Sequence, residues 1–363
     1  MKIGIDISQS AHEGTGVARF TRGLIDSILL YDIDNTWVFF YSSLRKPLSP
    51  AIRHAIAISR HKLVELPFPP TFLSFLWNTI HIIPVEWFVG KVDWFISSDW
   101  TEPPSHCNKA TVIHDLTVLK HPETVHQTIL ATQKARLTWI QKESKTIIVD
   151  SQATEHDVNS YCKDKIGVIK TIYPGVSIAT PTEAQVAEVK RKYALDRPFI
   201  LSVGKVEPRK NIPRLIKAFS QMNDCKIELI IVGPKGWSGD IQPAKNVRIL
   251  GYVSDKELQV LYAQCLFFAY PSLWEGFGYP VAEAMLHKKA VLTSCVASLK
   301  EVGAKGSLFC DPLSVQDIQT KLEILAADSA MRTKLAQEGF EHAQQYTWKN
   351  YFSQLINVLT LQR

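Results

Sequence analysis

Two carboxylates eight residues apart, Glu275 and Glu283, are the side chains of this sequence whose placement best suits chemistry. They lie within residues 271–285, which follow an apolar strand-like run and open a helical pattern. Pro280 suits the first position of that helix, because its missing N–H costs nothing there, so residues 276–279 should form the preceding turn. Amides of such a turn favour oxygen-rich, partly anionic groups. The two carboxylates can therefore hold different parts of one ligand, such as a sugar ring and a ribose diol.

Three cations follow another expected strand, in the run Ser-Val-Gly-Lys-Val-Glu-Pro-Arg-Lys-Asn at residues 202–211. Lys205 lies nearest the strand, Arg209 can bind phosphate oxygens in a bidentate fashion, and Lys210 supplies a compact charge. We expect these cations to await an anion, with Arg209 and Lys210 holding a diphosphate and stabilising it as it leaves. The alternative is a solvated basic turn, which fits less well beside the two carboxylates.

A short glycine-containing loop, Gly14-Thr15-Gly16, separates the first expected strand from an expected helix at residues 17–30. Two glycines let the backbone approach a phosphate or a sugar closely. A dinucleotide-binding fingerprint would need a third glycine where Arg19 stands, so a plain loop is the alternative interpretation.

His114 follows the strand-like run at residues 110–113. This placement puts an imidazole at the carboxyl end of a strand, where ligands of parallel sheets bind. A histidine of purely structural role is the alternative.

The elements that must position these residues alternate between short β-branched runs and longer mixed segments. Such alternation predicts parallel sheets with crossover helices. In the first half, the expected strands are residues 2–7, 36–41, 94–97, 110–113, 146–149 and 168–172. In the second half, they are residues 199–203, 227–232, 247–250, 266–270, 290–294 and 307–309.

A linker rich in Thr, Ala and Pro at residues 178–183, followed by a polar helix at 183–193, separates the two series. The sequence thus predicts an α/β protein with two Rossmann-like parallel-sheet domains, at residues 1–180 and 190–346. The length of 363 residues fits this division, since one core usually stops growing at roughly 250–300 residues. We expect the domains to face each other across a cleft, with the active site at the carboxyl ends of both sheets.

Composition narrows the class of partner. The hydrophobic and charged shares, 46% and 21%, are those of a globular chain. The net charge of +6 is modest and its cations are spread out, which disfavours nucleic acid and favours small anions. The N-terminal run does not resemble a secretory signal, so a cytoplasmic protein is expected. The six cysteines lack zinc-ligand spacing and are expected to be reduced thiols, at positions 107, 162, 225, 265, 295 and 310.

Residues 67–90 are rich in Phe, Leu, Trp and Ile, but Pro69, Pro70, Pro84 and Glu86 interrupt them before about 20 apolar residues accumulate. They are therefore not expected to span a membrane. Two interpretations stay open: a buried helix pair, or a face that meets a membrane or a lipid-linked acceptor.

Taken together, these motifs resemble the retaining glycosyltransferase family four, also called glycosyltransferase group 1, over nearly the whole chain. Glu275 and Glu283 match the family's E-x7-E motif, and residues 202–211 and 298–302 add to the likeness. The resemblance implies the GT-B fold, with a C-terminal helix at 347–363 that crosses back to the first domain. It also implies a nucleotide diphosphate sugar as co-substrate, no metal ion and no further cofactor.

The resemblance assigns roles to the carboxylate segment. Glu283 would hydrogen-bond the donor ribose, and Glu275 would contact the transferred sugar. Amides of the turn that contains Gly276, Phe277 and Gly278 would bind the hydroxyls of that sugar.

The same resemblance assigns the diphosphate to Arg209 or Lys205, together with Lys210. Many family members carry Arg directly after the glycine that Gly204 matches, whereas this chain has Lys205 there, so Arg209 is the expected guanidinium. A second departure lies at residues 287–290, His-Lys-Lys-Ala, where many members have Gly and Pro in a turn.

In the first domain, the family's glycine-rich loop matches Gly14-Thr15-Gly16, and its sugar-proximal histidine matches His114. Chains with similar motifs resemble mannosyltransferases of surface-polysaccharide or lipopolysaccharide assembly, which suggests GDP-mannose as donor and a saccharide or lipid-linked acceptor. Such an enzyme would work in the cytoplasm or at the inner face of the membrane. The alternatives are a catalytically silent nucleotide-sugar binder and an NAD-dependent dehydrogenase. The latter lacks its glycine fingerprint here.

Overall fold

Short apolar runs pair into two separate parallel sheets in the computed structural model, which describes residues 1–12, 14–163, 165–222, 226–234, 236 and 244–362. The predicted fold class, α/β with two Rossmann-like parallel-sheet units, is confirmed. Contacts divide the chain into a first unit, Met1–Gly175 with Thr347–Arg363, and a second unit, Val176–Tyr346. Cys225 of the sequence analysis lies outside the described residues.

In the described part of the first unit, we find seven strands and, before the chain enters the second unit, seven α-helices. The strands are β1 Lys2–Asp6, β2 Thr36–Ser42, β3 Lys62–Leu66, β4 Trp94–Ser97, β5 Asn108–Ile113, β6 Thr146–Val149 and β7 Val168–Thr171. The helices are α1 Gly16–Tyr31, α2 Pro50–Ala57, α3 Pro70–Ser74, α4 Glu86–Val89, α5 Thr117–Lys120, α6 Gln127–Glu143 and α7 Gln152–Tyr161.

The sheet of the first unit is parallel throughout, in the order β3-β2-β1-β4-β5-β6-β7. Strands β4 and β6 are buried along their whole length, as expected where helices cover both faces. The sequence analysis missed β3, an edge strand whose residues are exposed or half-buried. Because Lys62 and Glu65 interrupt its apolar residues, the run lacks the β-branched signature of the inner strands.

Among its described residues, the second unit has six strands and seven α-helices. The strands are β8 Phe199–Val203, β9 Glu228–Val232, β10 Val247–Gly251, β11 Phe267–Tyr270, β12 Val291–Ser294 and β13 Ser307–Cys310. The helices are α8 Glu183–Tyr193, α9 Ile212–Ser220, α10 Asp255–Gln264, α11 Tyr279–Leu286, α12 Leu299–Gly303, α13 Val315–Ala327 and α14 Ser329–Ala343.

Its sheet is also parallel throughout, in the order β10-β9-β8-β11-β12-β13. The chain runs from β8 outward to β10 and then returns to the other side of β8 to form β11. The strand order therefore reverses between β8 and β11. Such a reversal opens a crevice at the carboxyl ends of the two strands, which is where open α/β sheets bind ligands.

The predicted helix at residues 183–193 has those bounds in the structure. Thr182 accepts from the backbone N–H of Gln185, and the Gln185 side chain accepts from the N–H of Thr182, which forms a capping box. The helix is polar yet well delimited because this reciprocal pair satisfies donors at its first turn.

Residues 67–90 combine features of both interpretations left open by the sequence. One set of side chains is buried in the first unit's core: Leu73, Leu76, Trp77, Val85 and Val89. A second set is 45–78% exposed and is called the apolar surface here: Phe72, Phe75, Ile80, Ile82 and Trp87. Among the described helices, none combines the length and the hydropathy needed to cross a bilayer.

The last helix, α15 Trp348–Leu361, belongs to the first unit. It lies against α1, where Phe20 meets the rings of Trp348 and Tyr351 at 5.7 and 5.4 Å. A Cβ added to Gly23 would come within 2.0 Å of the Trp348 ring, so a glycine is needed for this close approach. The C-terminal helix is thus a part of the first unit's core.

We predict that Leu355→Ala destabilises the first unit by about 2–5 kcal/mol, because this side chain is 1% exposed and its loss leaves a cavity. Urea denaturation followed by tryptophan fluorescence measures the change. The matched control is Ser353→Ala on the exposed side of the same helix, which should shift the free energy of unfolding by less than about 0.5 kcal/mol. Equal midpoints for the two variants would contradict the packing role of α15.

Candidate active site

The turn that follows β8 carries the predicted cations. Pro208–Lys210 form one turn of 3-10 helix, and Asn211 then takes a left-handed conformation with φ 60°. Asparagine tolerates this conformation better than most residues. Its buried amide donates to the carbonyl oxygens of Pro271 at 2.9 Å and Pro312 at 2.7 Å. Asn211 therefore joins the turn after β8 to the loop after β11.

The carboxylate of Glu275 is 8% exposed and accepts four hydrogen bonds. Its Oε1 accepts from Lys210 Nζ at 2.7 Å, Tyr270 OH at 2.8 Å and Ser272 Oγ at 2.7 Å. Its Oε2 accepts from Arg209 Nη1 at 2.7 Å. Burial raises the pKa of Glu275, but the two cations and the hydroxyl donors more than offset this and hold it at about 2. Glu275 is therefore a charged carboxylate at every physiological pH.

Arg209 and Lys210 already pair with carboxylates of this site, whereas the sequence analysis expected them to await an anion. Besides its ion pair with the carboxylate, Arg209 donates to the carbonyl of Trp274 at 2.8 Å and pairs with Glu207 at 2.9 Å. Burial and the neighbouring guanidinium lower the pKa of Lys210 from its ordinary value. Lys205 is exposed. Two half-buried cations, Arg209 and Lys210, and the carboxylates of Glu207 and Glu275 thus form a cluster whose charges balance.

Glu283 lies on α11, one turn inside the helix, and is 4% exposed. The helix begins at Tyr279, one residue before Pro280, because Gly278 adopts φ 96° and ends the turn there. The hydroxyl of Tyr262, on α10, donates to Glu283 Oε2 at 2.8 Å. The partners of Glu283 thus include a neutral hydroxyl, and those of Glu275 include two cations.

The turn between the two carboxylates is closely packed. Gly276 and Gly278 are buried, and the Phe277 ring lies 5.2 Å from the rings of both Tyr279 and Tyr346. A Cβ on Gly278 would approach Leu299 Cδ2 to 2.7 Å, and its positive φ independently favours glycine. The turn that was predicted to offer amides to a sugar is thus held by the ring contacts of Phe277 and by the close packing of Gly278 on Leu299.

The unusual His-Lys-Lys sequence after α11 still forms a compact helix end. Lys288 takes the left-handed conformation with φ 55°, where glycine is common. The backbone N–H groups of Lys288 and Lys289 donate to the carbonyls of Met285 and Ala284, which caps the helix. His287 stacks on Tyr262 and bonds Gln259 at 2.7 Å, and so supports the residue that holds Glu283.

In the first unit, the glycine-containing loop leads directly into α1. Gly14 has φ 82°, and the Thr15 hydroxyl caps the helix by accepting from Ala18 N at 3.2 Å. Gly14, Thr15 and Gly16 are exposed, so their backbone is accessible to a ligand. A helix start of this kind favours anionic or oxygen-rich groups.

His114 directly follows β5, and its Nδ1 lies 2.6 Å from Asp150 Oδ2 at the end of the neighbouring β6. The Phe20 ring of α1 meets the imidazole edge-on at 4.7 Å. Burial lowers the pKa of His114, but the charges of Asp150, Asp99 and Asp115 outweigh burial and raise it to about 9. His114 is therefore an imidazolium at neutral pH.

A pocket in the first unit opens at the point where its strand order reverses, between β1 and β4. Asp6, Gln9, Ser98, Asp99 and His114 contribute polar groups to its lining. Burial raises the pKa of the Asp6 and Asp99 carboxyls. The pocket thus offers several hydrogen-bond acceptors next to a cationic ring, which suits a ligand rich in hydroxyl groups.

The structure therefore brings Arg209, Lys210 and Glu275 together in the second unit and places His114 at the pocket of the first unit. Sequence reasoning missed residues that hold these side chains or Glu283 in place: Asp150 contacts His114, Tyr262 contacts Glu283, and Tyr270 and Ser272 contact Glu275. Asp150 could have been predicted as a site residue, because it directly follows an expected strand as His114 does. The two tyrosines could not, since they lie in ordinary apolar segments.

Comparison with solved structures identifies the fold to which this chain belongs. Over 99% of both chains, the structure is similar to Anabaena Alr3699/HepE in complex with UDP and glucose, with a TM-score of 0.72 and 17% identity. It is similar to WaaG, a glycosyltransferase involved in lipopolysaccharide biosynthesis, with a TM-score of 0.72 and 14% identity, over 99% of this chain and 100% of WaaG. Both likenesses establish the GT-B fold.

Sequence comparison then identifies the family. Residues 185–342 match the family described as Glycosyl transferases group 1. The O-antigen chain mannosyltransferase B of Escherichia coli is 30% identical over 266 residues, which are 69% of this chain and 70% of that protein. The chain belongs to the group 1 glycosyltransferase family, and it is a glycosyltransferase.

We predict that Asp150→Asn lowers the pKa of His114 from about 9, because the charge that raises it most is removed while burial stays. NMR titration of the imidazole ring measures the change directly. Since the folded pKa is raised, the stability that this pair contributes is fully present below pH 6.5 and is lost as the pH rises through about 9.

The control is Asp115→Asn, which removes a more weakly acting charge and should change the pKa of His114 less. A native His114 ring that is already neutral at pH 7.5 would contradict the proposed charge state.

Proposed function

We propose that this glycosyltransferase is a retaining hexosyltransferase that transfers mannose from GDP-mannose to a saccharide or lipid-linked acceptor in surface-polysaccharide assembly. The observation that carries the proposal is the ion cluster of Arg209, Lys210 and Glu275 at the reversal point between β8 and β11. The similarity to an O-antigen chain mannosyltransferase supports mannose as the transferred sugar. UDP-glucose is the second candidate donor, because a protein of the same fold binds UDP and glucose.

Arg209 and Lys210 are proposed to bind the diphosphate of the donor. The guanidinium can present a flat pair of N–H groups to phosphate oxygens, and the ammonium supplies a second charge a residue away. As the bond to the sugar breaks, negative charge accumulates on the leaving diphosphate. Fixed cations in a buried site stabilise that charge more strongly than water does.

His114 is proposed to orient the transferred sugar. With Nδ1 bonded to Asp150 and the ring protonated, Nε2 is a donor suited to a sugar hydroxyl. A protonated imidazole cannot take the acceptor's proton as a general base. This charge state therefore favours a same-face mechanism in which the leaving phosphate takes that proton, which retains the anomeric configuration.

Glu283 is proposed to accept hydrogen bonds from the ribose diol of the donor. We predict that Glu283→Ala weakens binding of the nucleoside diphosphate by about 1.5–3 kcal/mol, since one charged hydrogen-bonding partner is lost. Isothermal titration calorimetry provides the measurement. Tyr262→Phe should have a smaller effect in the same direction, because it only loosens the carboxylate.

The matched control for Glu283→Ala is Glu188→Ala, which removes an exposed carboxylate from α8 of the same unit. A folded Glu283→Ala variant with unchanged affinity for the nucleotide would remove Glu283 from the ligand site.

The proposed activity is tested by slow hydrolysis of GDP-mannose, with water in place of the unidentified acceptor. We expect α-mannose as the first product in NMR spectra recorded before mutarotation, and little turnover of UDP-glucose. β-Mannose as the first product would exclude retention, and preferred turnover of UDP-glucose would exclude mannose specificity.

Metal independence remains a prediction that rests on Arg209 and Lys210 as the charges that stabilise the diphosphate. The same hydrolysis assay tests it: EDTA should leave the rate unchanged. Loss of most activity with EDTA, restored by manganese or magnesium, would overturn this part of the proposal.

The apolar surface of residues 67–90 is proposed to contact the membrane or the lipid of a lipid-linked acceptor. We predict that the double variant Phe75→Ser, Trp87→Ser binds vesicles of phosphatidylethanolamine and phosphatidylglycerol at least roughly tenfold more weakly, since each aromatic side chain contributes about 1.5–3 kcal/mol on burial. Leu313→Ser, at a residue 67% exposed in the second unit, is the control. A native protein that does not sediment with such vesicles contradicts a lipid contact.

A further inference from the structure

The carboxylate of Glu275 is crowded with donors, and most of them share one oxygen. Its Oε1 receives Lys210, Tyr270 and Ser272, which is more than the two lone pairs of that oxygen, and its Oε2 receives Arg209. A sugar hydroxyl can therefore reach Oε1 only if one of its three donors leaves. The two hydroxyl donors are anchored on β11 and its loop, whereas the two cations lie on another segment.

The two cations, in turn, are already paired with carboxylates. Arg209 and Lys210 are 18% and 11% exposed, and their charges are balanced by Glu275 and Glu207 at 2.7–2.9 Å. The charges of Arg209 and Lys210 are thus already used by these two carboxylates. A diphosphate that binds either cation must share it with a carboxylate or displace that carboxylate.

We propose that the diphosphate of the donor and the carboxylate of Glu275 compete for Arg209 and Lys210, so that donor binding moves the cations to phosphate and opens Glu275 to the hydroxyls of the transferred sugar. This inference rests on the proposed function, in which Arg209 and Lys210 bind the diphosphate. Glu275 then acts twice: it keeps the cations in place before binding, and it accepts from the sugar afterwards.

The exchange makes binding of the diphosphate depend on whether a sugar is attached to it. A buried carboxylate that loses charged donors without replacement is destabilised, because its desolvation is no longer compensated. The intact donor brings sugar hydroxyls that replace the cations on Glu275. The product nucleoside diphosphate brings none, so Glu275 regains the cations and the product is released more readily.

The decisive variant is Glu275→Gln, studied with GDP and UDP, which carry a diphosphate but no sugar. Gln keeps the size and one acceptor oxygen of the side chain while removing its charge. Since the competing charge is gone, we expect the nucleoside diphosphate that the native protein binds to bind the variant roughly tenfold more tightly or better. Turnover of the sugar nucleotide should fall at the same time.

The possible results distinguish a failure of the proposed exchange from a failure of the proposed function. Unchanged or weaker nucleoside diphosphate binding by a folded Glu275→Gln variant overturns the exchange while the proposed function stands. A native protein that binds neither GDP nor UDP overturns the proposed function and this inference together. Glu188→Gln, which removes an exposed charge from α8, controls for the change in net charge and should leave affinity unaltered.

A second variant keeps the inference testable if Glu275→Gln does not fold. Ser272→Ala removes a hydroxyl whose shortest contact is Glu275 Oε1 at 2.7 Å. Without it, Glu275 is served by one fewer donor once the cations leave, so the nucleoside diphosphate should bind roughly threefold to tenfold more weakly. An equal or higher affinity would overturn the exchange. Circular dichroism and the thermal midpoint establish that either variant is folded.

Discussion

The structure of the second unit's site depends on one constraint: a carboxylate that is almost fully buried must keep its donors. Glu275 satisfies it with Lys210 and Arg209 from the turn after β8, and with Tyr270 and Ser272 from the end of β11 and its loop. The requirement therefore fixes two loops that are separated by some sixty residues of sequence. Adjacent parallel strands make this possible, because β8 and β11 pair directly and their carboxyl ends meet at one edge.

The first unit meets a similar constraint with fewer groups. His114 and Asp150 follow the neighbouring strands β5 and β6, and each makes the other's burial tolerable when both are charged. Arg136, which is 1% exposed, supports the same region by donating to the Val112 carbonyl at 2.7 Å and pairing with Asp99 at 3.3 Å. In both units, a candidate site residue follows one strand, and the residue of opposite charge follows the neighbouring strand of the sheet. These residues are His114 and Asp150 in the first unit, and Glu275 and the two cations in the second.

This arrangement explains how much the sequence could predict. The sequence could predict the strands other than β3, the linker helix and the candidates Glu275, Arg209, Lys210 and His114, because each depends on local pattern or on position after a strand. The pairing of the cations with Glu275 could not be predicted, since it depends on which strands are neighbours in the sheet. The role of Tyr262 could not be predicted either, since only the packing of α10 on α11 places its hydroxyl at Glu283.

The two carboxylates of the motif have different hydrogen-bond donors, and this difference would order the events of donor binding in the mode that we propose. Glu283 accepts from the neutral hydroxyl of Tyr262, so a ribose hydroxyl that joins or replaces it adds no charge. Glu275 is bound to two cations, and the loss of either from its oxygens requires a compensating anion for that cation. In that binding mode, the nucleoside would dock at Glu283 without adding charge near the ion cluster, and the cluster would rearrange when the phosphate arrives. The spacing of eight residues would then separate recognition of the nucleoside from the rearrangement of the ion pairs.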